Sequence, residues 1–176
     1  MRDCSSFECY EEGSADRGCF KRSHFEETSI SEIRVVEGVY PWLQTIDFSE
    51  NIRLKQVIAL SATLVRANLQ NCSELVTLKN LSSLVNVKFL NINGCFVLET
   101  LSIRGLISLE EIETEKCWKL KRIDGLSFLK RLNRLTFSTS NGIFWEDVCK
   151  FLKSASSESL TNFILLRQIL QIERMT

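Results

Sequence analysis

One twelve-residue stretch decides the fold: Val87-Lys-Phe-Leu90-Asn-Ile92-Asn-Gly-Cys95-Phe-Val-Leu98. It follows the pattern LxxLxLxxNxxL, in which other apolar residues replace some leucines and cysteine or serine can stand at position nine. Four more copies begin at Leu43, Leu64, Leu109 and Leu132. Position nine is therefore occupied by Asn51, Cys72, Cys95, Cys117 and Ser140, at steps of 21, 23, 22 and 23 residues. Five aligned copies at a nearly constant step predict an array of stacked repeats.

The spacing inside each copy predicts how a repeat is built. Positions three to seven alternate with period two, so positions four and six point inward while positions three, five and seven point outward. Each repeat then contributes one short strand to a parallel sheet, and neighbours must stack because no repeat buries its inner face alone. After position twelve, apolar residues recur at every third position, as in Leu75, Leu78, Leu81 and Leu84. This spacing favours a tight 3₁₀-like or extended return over a full α-helix.

Residues 43–150 resemble the C-terminal leucine-rich repeats of plant intracellular immune receptors of the nucleotide-binding type, above all those that begin with a TIR domain. The resemblance rests on Leu90-Asn-Ile-Asn-Gly-Cys95, Leu98-Glu-Thr-Leu101, Leu109-Glu-Glu-Ile112, Cys117-Trp118-Lys-Leu120-Lys-Arg-Ile123 and Gly125-Leu126-Ser-Phe-Leu129. It implies an α/β leucine-rich-repeat solenoid with short parallel strands on its concave face and irregular or 3₁₀ returns on its convex face. It also implies a protein partner: a pathogen effector, a host target or a receptor domain.

The chain departs from that family in ways that bear on activity. The phosphate-binding loop GxxxxGK[ST] is missing, and so are the TIR and nucleotide-binding domains. The family's ATPase switch and NAD-cleaving activity therefore do not transfer, and we expect no enzyme and no cofactor. The expected role is a protein-binding module, a truncated immune-receptor relative in defence recognition or autoregulation. The alternatives are a non-immune intracellular scaffold, or regulator of a signalling protein, and a non-functional truncation.

Charge and composition restrict the partner and the compartment. The chain has 22 basic and 22 acidic residues among 176, so nothing favours nucleic acid as a partner. No apolar run is long enough to span a bilayer, and residues 1–9 lack the apolar core of a secretory signal. We therefore expect a cytoplasmic or nucleocytoplasmic protein that is not secreted, whose seven cysteines are reduced thiols.

The chain divides into three predicted parts. Residues 1–28, rich in serine and acidic residues, are expected to be a loosely ordered lead-in. The repeat array covers 29–143 and starts with a degenerate coil around Ile30, Ile33 and Val35. Residues 144–176 are apolar at helical spacing and predict a helical cap that covers the last coil, or else a helix that binds a partner. In the lead-in, Cys4, Cys9, Cys19 and His24 match no standard zinc-finger spacing.

The candidate binding site is the outward face of the predicted concave sheet. Four glutamates on the fourth repeat favour an electrostatic patch for a basic partner segment, and Phe89 is the candidate aromatic anchor. Paired glutamates could also indicate general acid–base chemistry or a calcium site, and over these the alternative of a solvated strand face is favoured, its acidic residues balanced by Lys88 and Arg134. The predicted site residues are Asp47, Arg66, Asn68, Lys88, Phe89, Asn91, Glu110, Glu111, Glu113, Glu115, Arg134 and Thr136.

Two inward positions carry further expectations. At position nine, a short polar or thiol side chain can satisfy the backbone of the turn from inside the stack, and this interpretation is preferred over a metal site for the three cysteines. Thr114 occupies position six, which should face the core. Its hydroxyl predicts a locally weakened core, and Thr114→Val is expected to stabilise the array.

Overall fold

The computed structural model describes residues 6–8, 19–20, 31–35, 43–59 and 61–137; the helical cap expected at 144–176 lies outside them. The described residues contain twelve short strands. These are β1 (Ser6–Glu8), β2 (Cys19–Phe20), β3 (Glu32–Val35), β4 (Thr45–Asp47), β5 (Gln56–Ala59), β6 (Arg66–Asn68), β7 (Thr77–Lys79), β8 (Phe89–Asn91), β9 (Thr100–Ser102), β10 (Glu111–Thr114), β11 (Arg122–Asp124) and β12 (Arg134–Phe137).

The strands alternate between two sides of the molecule. Even-numbered strands form a six-stranded sheet in the order β2-β4-β6-β8-β10-β12. Odd-numbered strands form a four-stranded sheet, β1-β3-β5-β7, and a two-stranded sheet, β9-β11. Every neighbouring pair is parallel. Each coil therefore supplies one strand to each side, and the described residues form a parallel-strand β-solenoid.

The return side differs from a purely irregular or 3₁₀ connection. Of the two forms that the spacing allows, the extended one predominates, and its strands pair in ladders. Two three-residue 3₁₀ turns follow β7 and β11, at Leu81–Ser83 and Leu126–Phe128. The described residues contain no α-helix, so the helical component of the expected α/β class is not found in this part of the chain.

The core lies between the two sides and is filled by the predicted positions. Buried side chains at position four are Ile46, Ala67, Leu90, Ile112 and Leu135, and those at position six are Phe48, Leu69, Ile92 and Thr114. On the return strands, Val57, Leu101 and Ile123 are buried and Leu78 is partly buried. The inward positions predicted from the sequence are confirmed for these coils, whereas Asn91 and Thr136, which were predicted to point outward at position five, are buried.

The N-terminal segment extends the solenoid beyond its predicted start. Within residues 1–28, expected to be a loosely ordered lead-in, β1 pairs with β3 and β2 pairs with β4. Ile33 of β3 is buried in the core, which agrees with a degenerate coil before the first clear repeat. Within the described ranges, no helix has the length and apolar character needed to cross a membrane.

The turn after each strand of the six-stranded sheet uses one backbone conformation. Position eight has positive φ in four successive coils, at Glu50 (63°), Asn71 (60°), Gly94 (73°) and Lys116 (59°). Glycine and asparagine adopt this left-handed region readily, whereas glutamate and lysine do so at a conformational cost. A Cβ added to Gly94 would meet Asn71 of the preceding coil, so the stacking is close at this turn.

Candidate protein-binding face

The outer face of the six-stranded sheet is ordered in rows, because the strands pair in register. Position three of successive coils aligns Arg66 with Phe89, Phe89 with Glu111, and Glu111 with Arg134. Parallel strands lie about 4.8 Å apart, so residues in one row are nearest neighbours. The predicted site residues on strands β6 to β12 are therefore brought onto one continuous surface.

Position five of each repeat is mainly structural. The Oδ1 atoms of Asp47, Asn68 and Asn91 each accept a hydrogen bond from the backbone N–H two residues later, at 3.1, 3.2 and 2.9 Å. Such bonds stabilise a turn at the end of a strand. Asn68 Nδ2 also donates to Asp47 Oδ1 at 2.9 Å, which joins two coils. These three predicted site residues hold the sheet edge together, and Asn91 is buried.

The same network continues into the fourth repeat. Asn91 Nδ2 donates to Gln70 Oε1 at 3.3 Å, and Asn93 Nδ2 donates to Glu113 Oε2 at 3.2 Å. Asn93 Oδ1 accepts from the backbone N–H of Glu115 at 2.7 Å. The carboxylate of Glu113 is thus held by a hydrogen bond from the preceding coil, so it is less available to a partner than a carboxylate without such a bond.

The predicted acidic patch is largely neutralised by its neighbours. Lys88 Nζ lies 3.1 Å from a carboxylate oxygen of Glu110. The guanidinium group of Arg134 lies 3.4 Å from Glu111 and 3.3 Å from Glu113. The interleaved counter-charges expected under the alternative interpretation are therefore present. Glu115 is exposed and has no ion-pair partner among the described residues, so it is the glutamate of this patch that an outside partner reaches most directly.

Phe89 differs from its predicted role. Its side chain is half-buried, and the guanidinium carbon of Arg66 lies 4.2 Å from the centre of its ring. A cation at this distance over a ring face is held by the ring's quadrupole. One face of the predicted anchor is therefore covered by the preceding coil. The sequence could have indicated this contact, because Arg66 and Phe89 both occupy position three of consecutive repeats.

The far end of the face carries two buried polar atoms for which the described residues supply no hydrogen-bond partner. They are Nε of Arg134 and Oγ1 of Thr136, both on β12. Thr136 is nearly buried, so its predicted outward orientation gives little exposure. Arg134 uses its terminal nitrogens on two carboxylates, which leaves Nε without an acceptor.

The thiols of the position-nine cysteines form hydrogen bonds with backbone carbonyl groups inside the stack. The Sγ atoms of Cys72, Cys95 and Cys117 lie 3.1, 3.3 and 3.0 Å from the position-six carbonyl oxygen of the preceding coil. In the first clear repeat, Asn51 Nδ2 donates to Phe48 O at 2.7 Å. The expectation that position nine satisfies the turn backbone is confirmed for these four coils.

Burial makes these thiols poor nucleophiles and poor metal ligands. Desolvation raises the pKa of Cys72 to about 12 and that of Cys117 to about 11, and it raises the pKa of Cys95 further. The thiolate is the reactive and metal-binding form, so these cysteines stay inert at neutral pH. In the part of the chain that the structure describes, no group of three or more His, Cys, Asp or Glu side chains could hold a metal ion.

One feature of the surface was missed by sequence reasoning. Position ten of the repeats points outward and carries Ile52, Phe96 and Trp118, all exposed. The alternation of the strand does not predict it, because position ten lies in the turn beyond β4, β8 and β10. Aligning the repeats in columns would have shown an apolar residue there in three of the first four copies.

Comparison with known proteins adds no homologue to this description. No protein-family model matches the chain, and a search of curated proteins finds no match.

Proposed function

We propose that this chain is a protein-binding leucine-rich-repeat module that recognises its partner through the outer face of the six-stranded sheet. The observation that carries the proposal is the row of position-three side chains from Arg66 to Arg134. Parallel ladders fix the backbone under that row, so its aromatic and charged groups are presented in a set order. A pre-organised surface loses little conformational entropy when a partner binds.

The partner that suits this face is a polypeptide carrying basic residues. Glu110 and Glu115 are the carboxylates that such a partner would meet, since Glu113 is engaged by Asn93 and Arg134. A basic side chain at Glu110 has to compete with Lys88, which lies 3.1 Å away. Electrostatic pairs of this kind contribute more to specificity and association rate than to affinity.

A family resemblance in the sequence supports a narrower version of the proposal. The resemblance to the C-terminal repeats of plant TIR-type immune receptors favours a role in defence recognition or autoregulation in the cytoplasm. In that version the partner is a pathogen effector, a host target or a domain of a full-length receptor. A helical cap at 144–176 belongs to the same proposal, because the last coil of a solenoid needs a cover.

The test compares two doubly charge-reversed variants. Glu110→Lys/Glu115→Lys alters the proposed face, and Glu74→Lys/Glu99→Lys alters the return side. The face variant removes one carboxylate that pairs with lysine, that of Glu110, and the return-side variant removes two. Partners cross-linked to the native chain in cell extract are identified, and their affinity for each variant is measured with purified proteins. We expect the face variant to bind at least about tenfold more weakly, which corresponds to about 1.4 kcal/mol, and the return-side variant to bind normally. Equal binding by both variants would overturn the proposal.

A further inference from the structure

The return side of the solenoid carries a cluster of charged side chains that lies outside the proposed binding face. Its centre is Asp124 of β11. Arg104, which follows β9, donates from Nε and Nη2 to the two carboxylate oxygens of Asp124 at 2.7 and 3.1 Å, a bidentate pair that joins two coils. Arg122 Nη2 lies 3.7 Å from Asp124 Oδ1, which is beyond hydrogen-bond distance. The three side chains therefore form one contiguous surface, in which two cations share one carboxylate.

An aromatic ring extends the same surface. Phe128, in the 3₁₀ turn after β11, is 58% exposed, and Arg104 Cζ lies 5.9 Å from the centre of its ring. The coils stack closely at this turn, because a Cβ added to Gly125 would lie 2.7 Å from Arg104 N and 2.9 Å from Arg104 Cγ. Arginine and aromatic residues are enriched in protein interfaces. The surface made of Arg104, Arg122, Asp124 and Phe128 is called the Arg122 surface below.

Arg122 is the cation of this surface that lacks a hydrogen-bonded partner. Its side chain is 63% exposed and makes no hydrogen bond within the described part of the chain. The Asp124 carboxylate is committed to Arg104, whose hydrogen bond is the main cause that lowers the pKa of that carboxyl. Two positive charges against one negative charge leave one positive charge uncompensated. The guanidinium donors of Arg122 are therefore available to an acceptor from another molecule.

We propose that the Arg122 surface binds an acidic polypeptide segment. One carboxylate of that segment pairs with Arg122, and a neighbouring apolar side chain packs on Phe128. A guanidinium group and a carboxylate match in geometry, as the pair of Arg104 and Asp124 in the same cluster illustrates. The proposed strand-side partner is basic, so this acidic segment is a second partner at a separate site.

The charge balance favours a polypeptide over a nucleic acid or an anionic bilayer. Further exposed cations lie on the same coil, at Lys116, Lys119, Lys121, Lys130 and Arg131. Even so, residues 109–131 contain six basic and five acidic residues, so the coil as a whole has almost no positive excess. Nucleic acids and bilayers present extended arrays of phosphates, which need several uncompensated cations. A single acidic side chain needs only the one uncompensated charge of the Arg122 surface.

The experiment titrates the ¹⁵N-labelled 176-residue chain with a blocked pentapeptide, Glu-Glu-Phe-Glu-Glu, and follows the NMR spectrum. Binding should shift the amide signals of residues 100–104 and 122–128 more than those of β8 and β10. So small a contact predicts a dissociation constant between about 100 μM and about 2 mM. The same peptide with glutamine in place of every glutamate should bind at least about tenfold more weakly. No strand-side partner is present, so the outcome is separate from that of the proposed function.

Arg122→Gln should weaken peptide binding at least about fivefold, because it removes the cation that receives the carboxylate. Arg34→Gln is the matched control. Arg34 lies on β3, four return strands away, and its Nε is 2.6 Å from Glu32, an acidic residue two positions away as Asp124 is from Arg122. The control removes the same charge from a similar pair and should bind the peptide like the native chain.

Asp124→Asn should act in the opposite direction. It removes the carboxylate that both arginines share, so it should tighten peptide binding at least about threefold, whereas Glu32→Gln, the matched control on β3, should leave it unchanged. Phe128→Ser should weaken binding without a change of charge. Thermal melts of every variant identify any loss of the fold.

Three results would overturn the proposal. The first is a native chain that does not bind the acidic peptide at about 5 mM. The second is equal binding by Arg122→Gln and Arg34→Gln, which would mean that only the overall charge matters. The third is a single-stranded oligothymidylate, or phosphatidylserine vesicles, that bind the native chain more tightly than the peptide does and lose that binding with Arg122→Gln.

Discussion

Replacing Cys95 with alanine should destabilise the array by about 1.5–2 kcal/mol. Cys95 is fully buried and lies in the middle of the thiol column, between Cys72 and Cys117. Its Sγ atom occupies about the volume of a methyl group, and removing that burial costs about 0.8 kcal/mol. A cavity of about 25 Å³ adds about 0.6 kcal/mol if the coils do not close around it.

The lost hydrogen bond contributes less than the lost volume. Leu69 O, the acceptor of the Cys95 thiol at 3.3 Å, also accepts the backbone N–H of Cys72 at 3.3 Å. The carbonyl is therefore not left without a donor, and the loss of the thiol bond costs no more than about 0.5 kcal/mol. Cys95→Ser should destabilise the array at least as much as alanine, because the shorter C–O bond places a buried hydroxyl farther from its acceptor.

The assay is urea unfolding monitored by circular dichroism, with a thermal melt in parallel. A loss of this size lowers Tm by about 3–8 °C in a domain of this length. Ser73→Ala serves as the control, since its hydroxyl lies 3.4 Å from Ile52 O near the surface, and it should change stability by less than about 0.5 kcal/mol. If Cys95→Ala has the same Tm and urea midpoint as the native chain, the buried cysteine column does not contribute to stability and the prediction is wrong.

Three further outcomes follow from the same structure. Since burial raises the pKa of Cys72 to about 12 and of Cys117 to about 11 from the ordinary value of 9.0, the neutral thiol is favoured in the folded state. The stabilising effect of the neutral thiol is complete below pH 9 and is lost as the pH rises through 11 and 12. The free energy of unfolding, measured from pH 8 to 11, should therefore fall more steeply for the native chain than for a variant in which Cys72, Cys95 and Cys117 are all changed to alanine. Lys116→Gly should stabilise the array by about 0.5–1 kcal/mol, because φ of Lys116 is 59° and glycine adopts this conformation without strain. Lys119→Gly is the control and should destabilise the array, because Lys119 does not have a positive φ. The prediction is contradicted if the urea midpoints of the two variants shift in the same direction. Thr114→Val should change the unfolding free energy by less than about 0.5 kcal/mol, not stabilise as the sequence suggested, because the hydroxyl donates to a backbone carbonyl of the next coil at 2.8 Å; a gain above about 1 kcal/mol would show that this bond contributes nothing.

The strand side of the solenoid could be predicted because each strand there places two residues in the core. Ile112 and Thr114 of β10 are both buried and lie two residues apart, so the period of two is visible in the sequence. On the return side, Ile123 is the single buried residue of β11. A single inward residue on β11 shows no alternation, and the next buried hydrophobic side chain, that of Leu126, already belongs to the 3₁₀ turn. Spacing alone therefore could not separate an extended return from a 3₁₀ one.

At the site, the counter-charges of Lys88 and Arg134 could be predicted from the sequence, but the contacts of Phe89 and Asn91 could not. Alternation along one strand shows that Phe89 and Asn91 point outward, but their partners come from the neighbouring coils. Arg66 covers Phe89, and Gln70 accepts a bond from Asn91. These contacts depend on side-chain conformations, which a single-sequence pattern does not specify. Aligning the repeats and comparing the residues at each position would have identified which side chains are neighbours across coils, although not the distances between them.

Aligning the repeats in columns also explains how one repeat can carry four glutamates and still stack on its neighbours. Like charges on directly opposite residues of neighbouring strands destabilise a sheet. In the position-three column, Glu111 lies between Phe89 and Arg134, and its two neighbours are therefore aromatic and basic. In the position-five column, Glu113 lies between an amide and a hydroxyl, those of Asn91 and Thr136. In these two columns, therefore, no two directly opposite residues are both acidic. A face of this kind places its charge in a narrow band perpendicular to the array, so a partner would have to align with that band and not with the long axis of the array.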